Sequence, residues 1–413
     1  MLINLNPLKN NKEYRLLFLG QTVSFFGSMM SYVAIPYQIF QLTKSSFQVG
    51  LLGVVQLVPL IIAGMYGGAL ADNMDRRKLL VLSETALSVC TCLLVINSLL
   101  PNPSVILLFI IAGFSSVFVG LHRPAMEALT PQIVSKEDYP AVAALGGLRY
   151  AIGAIAAPAL GGWLIAQFGI SWTYSVDTLT YVFSLICLYK MKSVVAPKSE
   201  KGVSIASIVD GLKYATKNTV IFGTYVVDII AMLFAMPMAL FPSMAEHWGG
   251  ANAAGWLYSA IPMGALVISV LSGKLSEYKR YGAGVIGAAI IWGAFIICLA
   301  FATNLYVAVA CLALAGAADA VSEIYRQTIW NESIPMDFRG RLAGLNMLSY
   351  MIGPMIGNAR AGFVASISSN YVSILSGGIL CVVNCAAMIW ILPKFWNYHS
   401  SDNSLEKISD HSV

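Results

Sequence analysis

The chain has 413 residues, 58% of them hydrophobic and 11% charged, with a mean hydropathy of +0.73 and a net charge of +5. A soluble domain carries about 25% charged residues, so water cannot be the solvent for most of this surface. The polar segments are too short for an enzyme domain, and no glycine-rich loop ends in Lys-Ser or Lys-Thr to cradle a nucleotide.

Long charge-free runs mark the predicted elements, since a spanning helix needs about 20 mainly apolar residues. The first lies between Arg15 and Lys44, the second between Lys44 and Asp72, and the third opens at Lys78. Pro101-Asn102-Pro103 parts the third from the fourth. Spans five and six cover about 140–168 and 172–191 and are parted by Gly169. A polar, Lys-rich stretch follows, and six further runs begin near Thr219, Ala253, Gly282, Leu305, Gly340 and Tyr371. The expectation is an all-α membrane protein with twelve transmembrane helices in two six-helix bundles. The domains are then 1–191, a cytoplasmic linker at 192–218, a second bundle at 219–393 and a tail at 394–413. Within the linker, Ile205, Ile208, Val209, Leu212 and Tyr214 have roughly helical spacing, which predicts a short amphipathic helix.

Charge distribution tests that layout. With both termini in the cytoplasm, 20 of the 25 Lys and Arg fall on inside segments, Lys44 alone falls outside, and Arg123, Arg149, Arg326 and Arg360 lie within spans. This is the positive-inside bias, which a miscounted span would scramble. It also accounts for the net charge without a nucleic-acid partner. The first run is too long for a signal-peptide core and is read as a permanent span. The seven cysteines lie in apolar runs with no metal-ligand pattern, so neither a metal nor any other cofactor is expected.

The halves echo one another. Gly68 to Lys78 and Gly273 to Arg280 both place an acid four residues after a glycine and then a basic cluster. Pro158-Ala-Leu-Gly161 on span five matches Pro354-Met-Ile-Gly357 on span eleven. Gly68, Asp72, Arg76 and Arg77 resemble the cytoplasmic loop motif of the major facilitator superfamily, departing from it at Asn73 and Asp75. The resemblance implies a gating role, with Asp72 pairing or capping a helix; plain positive-inside anchoring is the alternative for the basic residues. Gly153, Pro158, Gly161 and Gly162 are similar to the Gly/Pro motif of that superfamily's antiporters, which implies tight helix contact and export. Arg15 to Gln21, Val33 to Ile39, Gln48 to Leu51, Leu257 to Ala265, Ser272 to Leu275 and Pro335 to Arg341 together resemble the enterobactin-exporter branch, from the N-terminus to about residue 392. That resemblance implies a proton-driven exporter of siderophores in a bacterial inner membrane, acting as a monomer on a small molecule. A broad-specificity drug efflux transporter is the alternative.

An ionisable side chain inside a span is costly and marks a candidate site. Asp319, Glu323 and Arg326 recur at i, i+4 and i+7 on span ten, one helical face, with Asp319 about 20 Å along the span. Glu323 and Arg326 are expected to pair, leaving Asp319 the freer acid. Asp228 lies mid-span seven with Tyr225 on a similar face. Asp228, Asp319 and Glu323 are therefore candidates for proton coupling, with a structural ion pair as the alternative. Arg123, at i, i+4 from Glu127, and Arg149 are candidates for an anionic or chelating substrate, with Arg326 and Tyr225 beside them. Arg149 also matches an arginine in the enterobactin-exporter family, and Asp228 or Asp319 is expected to neutralise it. The charges at 228 and on span ten depart from the family pattern. His122 is expected to be a helix-end residue, with a proton relay as the alternative, and Arg360 and Asp177 are expected to be structural. Phe25, Phe26, Tyr32, Tyr37, Phe234, Tyr325 and Trp330 are candidate stacking surfaces, or packing residues.

Overall fold

The computed structural model describes residues 4–192, 216–273, 278–334 and 336–400, without the side chains of 65, 68, 69, 71–73 and 336–349. Twelve long helices follow in order: α1 (Lys12–Thr43), α2 (Ser46–Asn73), α3 (Arg76–Leu99), α4 (Val105–Ile133), α5 (Tyr139–Phe168), α6 (Ile170–Lys190), α7 (Thr219–Ala235), α8 (Ala251–Leu271), α9 (Tyr281–Ala300), α10 (Leu305–Ser333), α11 (Met336–Ile367) and α12 (Asn370–Ile391). Ten spans among the described residues are long and apolar enough to cross a membrane; α6 and α11 complete the set by position. The amphipathic helix expected over 204–217 falls almost wholly outside the described residues, as does most of the tail.

Local chemistry fixes the helix ends. Side chains of Asn11, Ser45, Asp75, Ser104, Asn218, Asn304 and Ser369 accept hydrogen bonds from first-turn amides. Gly169 turns the chain between α5 and α6 at φ +87, and Gly249 and Gly250 do the same before α8 at φ +120 and +66. Helix α7 stops at Met236-Pro237 and resumes over Phe241–Trp248. The break is held by α11: Arg360 Nη1 donates to the Phe234 carbonyl at 2.8 Å, and Asn358 Oδ1 accepts from the Ala239 amide at 2.9 Å.

Helices α1–α6 form one bundle and α7–α12 the other. They join mainly where α5 meets α8 and α2 meets α11. Small residues set both crossings. A Cβ on Gly162 would lie 2.8 Å from the Gly255 Cα, and one on Gly50 would lie 2.9 Å from the Ala359 Cα. Ser259 of α8 donates to the Ile155 carbonyl of α5 at 2.7 Å, across the boundary. All these contacts sit toward the end opposite the termini, where Lys44 also pairs with Glu246 and Ser46 meets Ser243 at 3.3 Å. Toward the terminal end of α5, a Cβ on Gly146 or Gly147 would meet nothing within 4 Å. The described contacts between the bundles gather toward one end, and at Gly146 and Gly147 nothing packs closely on α5.

Gly255→Val is expected to hold that contact apart, because its side chain would meet α5 backbone rather than a flexible tip. Efflux after Gly255→Val should fall, while Gly146→Ala leaves it unchanged; equal effects of the two would remove the crossing from the closure.

Candidate functional site

Among the described residues, a cluster in the second bundle sets one cation, Arg326, among three acids. Arg326 on α10 pairs through Nη1 with Asp228 of α7, and through Nη2 with Glu323 at 2.8 Å and Asp319 at 3.9 Å. Helical spacing places the α10 residues: positions 319, 323 and 326 lie on one face, so both acids reach the guanidinium from its own helix. Asp228 arrives from α7, which packs beside α10. Side-chain exposure runs from 5% at Asp228 and 13% at Arg326 to 34% at Asp319 and 48% at Glu323. Asp228 is thus the desolvated partner, and Asp319 is the longest contact of the three. Arg326 Nε is buried without a hydrogen-bond partner.

Tyr225, one turn before Asp228, accepts from Trp330 Nε1 at 2.8 Å. Both line a crevice of about 10 Å³ with Glu323 and Arg326, a size that admits a single water molecule. Trp330 is therefore anchored by its N–H. Tyr325 is buried and stacked on Tyr281 at 5.2 Å, and Tyr37 is buried as well.

Arg149 stands elsewhere. Its guanidinium lies 6.0 Å from the Phe25 ring centroid and near Tyr14, and its Nε is buried without a partner. The expected pairing with Asp228 or Asp319 is not present: Arg326, on the same face of α10 as Asp319, holds both. Arg123 pairs with Glu127 at 3.2 Å and lies 5.5 Å from the ring centroid of Tyr350 on α11, so it spans the gap between bundles. Tyr150, half of a tilted pair with Phe25 at 5.8 Å, lies near Arg123, Asp319 and Glu323.

A cavity of about 230 Å³ lies between the bundles and is lined by Tyr32, Gln56, Met236, Tyr258, Tyr350 and Asn358 among others. None of the candidate proton-coupling or substrate-binding residues lines it; Tyr350 is its link to Arg123. The charged cluster and the apolar chamber are separate places in the fold.

The motif residues have local work. Arg76 donates to the Ala128 carbonyl of α4 at 2.9 Å, and Arg77 donates to the Leu188 and Tyr189 carbonyls of α6 at 2.6 and 2.8 Å. Cations near helix C-termini interact favourably with the carbonyls gathered there. The surroundings of Gly68 and the side chain of Asp72 lie outside what the structure describes. On α5, a Cβ at Gly153 would meet the Phe25 ring, and one at Gly161 would lie 3.0 Å from the Met30 Cα. The Pro158 carbonyl faces Gly255 of α8. Asp177 is buried and accepts from Ser31 and Thr180.

Sequence reasoning missed Tyr150, Tyr350 and Glu84. Glu84 is an acid within an apolar run, so the rule that singled out Asp319 applies to it equally. The tyrosines carry no such signal.

Comparison with known proteins places the chain. A family model described as "Transmembrane secretion effector" matches residues 3–410. The chain belongs to this family, within the major facilitator superfamily. Curated relatives include the enterobactin exporters EntS of Escherichia coli O1:K1 / APEC and of Shigella boydii serotype 18. Each is 28% identical, over 97% of this chain and 96% of the relative. Among solved structures, a mutant of the nucleoside transporter NupG superposes with a TM-score of 0.72 at 13% identity, covering 92% of this chain and all of that one. A POT family transporter in complex with a thioalcohol-conjugated peptide gives 0.70 at 13%, over 92% and 96%. These likenesses establish the fold. The chain is a multi-pass membrane transporter acting on a small-molecule substrate, and not an enzyme.

Removing the cation should cost most. Arg326→Met leaves three acids facing one another and is expected to destabilise by about 3–5 kcal/mol. Adding Asp228→Asn should recover part of the loss, since it removes the most buried of the three. Thermal unfolding in detergent measures both; an undiminished melting temperature for Arg326→Met would show that the cluster does not hold the bundle.

Proposed function

We propose that this transporter exports a small molecule of the siderophore class across a bacterial inner membrane in exchange for protons. It works as a monomer by alternating access of the bundles at 1–191 and 219–393. The observation that carries the proton coupling is the imbalance around Arg326, where, among the described residues, one guanidinium meets three carboxylates and Asp319 is held most loosely. Three ionised acids around one cation in a low-dielectric interior repel one another, and a proton on Asp319 relieves that repulsion. Protonation then favours one orientation of the bundles, and release favours the other.

The 20-to-1 charge bias supports cytoplasmic termini, with the linker at 192–218 and the tail at 394–413 on the same side. On that orientation the Gly162–Gly255 contact closes the outer end, and the unpacked Gly146–Gly147 stretch of α5 lies toward the cytoplasm, the side from which an exporter loads. Gly153, Pro158, Gly161 and Gly162 form the hinge face in this reading. Gly68, Asp72, Arg76 and Arg77 form the cytoplasmic gate. Arg123 and Tyr350 bridge the passage between bundles, where substrate must pass.

The named relatives support a siderophore, and so does Arg149, whose unpartnered Nε offers charge to an anionic ligand. A second reading, broad drug efflux, is favoured by the large chamber: its Tyr and Met lining, including Met236, Met238, Met351 and Met355, suits varied apolar rings.

In proteoliposomes, Asp319→Asn should lower efflux driven by an imposed pH gradient at least tenfold, the counterpart of about 1.4 kcal/mol. It should spare substrate exchange without a gradient. Undiminished gradient-driven efflux would take Asp319 out of coupling. Arg149→Gln should reduce export of an anionic catecholate siderophore and spare a lipophilic cation. Loss of the cation alone would favour the drug-efflux reading.

A further inference from the structure

A second titratable pair lies in the first bundle, apart from Arg326. Glu84, on α3, has a fully buried side chain. Its Oε1 accepts from Gln21 Nε2 of α1 and lies 3.4 Å from His122 Nε2 of α4. Its Oε2 has no hydrogen-bond partner. Gln21 Nε2 also reaches Ser184 Oγ of α6 at 3.4 Å, so the group is shared by four helices. Among the described residues, the titratable groups facing the carboxylate are His122 of α4 and Tyr181 and Cys187 of α6. Helix α1 presents Gln21, and no described Lys or Arg there is within ion-pair distance.

A carboxylate buried this deeply is strongly disfavoured as a lone anion. One amide donor cannot neutralise it, and the bare Oε2 adds the penalty of an unsatisfied acceptor. Tyr181 and Cys187 bring no positive charge. A proton does, whether it sits on the carboxyl or on the imidazole. His122 is the one ionisable member that is not deeply buried, at 23% side-chain exposure. It precedes Arg123, whose guanidinium faces the gap between the bundles.

We infer that Glu84 and His122 form a proton-binding pair in the first bundle. Glu84 supplies the charge that retains the proton, and His122 is where it enters and leaves. The step is the transfer of one proton between water and the pair; no other bond changes. Because Glu84, Gln21, Ser184 and His122 join α1, α3, α4 and α6, a change in the pair's charge alters the cohesion of that whole bundle. The consequence for transport rests on the proton-coupled reading above; the occupancy of the pair does not.

Infrared difference spectra of the full-length protein in lipid nanodiscs read the pair without any substrate. Wild type is compared with Glu84→Gln and with His122→Asn between about pH 5 and 8, the range in which histidine exchanges its proton. The expected result takes one of two forms. Either a carboxylic-acid carbonyl band disappears in Glu84→Gln, or an imidazolium band disappears in His122→Asn alongside an ionised Glu84. An ionised carboxylate beside a neutral imidazole across the whole range would overturn the inference. If Glu84→Gln does not fold, His122→Asn still decides: its Glu84 should show the acid band at neutral pH, and a persistent carboxylate band there counts against the pair. A failed Asp319→Asn transport result would leave these spectra unchanged, so the two ideas stand or fall separately.

Discussion

Four charges in one bundle interior constrain the rest of this molecule. Arg326 is desolvated, and so is Asp228, its partner on another helix. Separating them would take from Asp228 its cation in a medium that solvates a carboxylate poorly. Helices α7 and α10 are therefore tied at one depth and in one rotation, and Glu323 and Asp319 follow because they share a face with the arginine. On the proposed coupling, stability and function draw on the same contacts. The closest pair holds the bundle, and the longest leaves a carboxylate only partly engaged.

The boundary between bundles is built differently. Gly162 meets Gly255, and Gly50 meets Ala359, so backbones touch with little side chain between them. In lipid there is no hydrophobic gain from bringing apolar helices together, and close packing plus a few polar contacts supply the adhesion. Ser259 reaching the Ile155 carbonyl and Lys44 meeting Glu246 are such contacts. The Lys44–Glu246 pair is exposed and contributes about 0–1 kcal/mol. A boundary made of many weak contacts can open and reclose, which a boundary locked by an ion cluster like that of Arg326 would resist. The broken α7, pinned by Arg360 and Asn358 of α11, shows the same economy: freed carbonyls and amides at membrane depth find partners on a neighbouring helix.

Hydropathy and charge placement were enough to read the helix layout, because the bilayer imposes one length and one sign rule on every span. The pairing of Glu323 with Arg326 was legible for a similar reason, since α-helical spacing alone puts them together. Arg149 is where that reasoning failed. Nothing in spacing shows which of several mid-span acids an arginine on another helix will meet, and Arg326 meets both of its expected partners first. Glu84 was visible as an acid in an apolar run, but its neighbours Gln21 and His122 come from helices far away in sequence.

Composition and periodicity set the solvent, the helices, the Lys and Arg asymmetry between their ends, and the small-residue faces on which helices approach. Each of these is a local property of the chain, readable within one or two turns of helix. Three-dimensional packing was needed to settle which charges are paired, where the 230 Å³ chamber lies, and that Arg123 reaches Tyr350 across the boundary. Those are matters of rotation and depth between helices, set by side-chain packing among segments that can lie hundreds of residues apart.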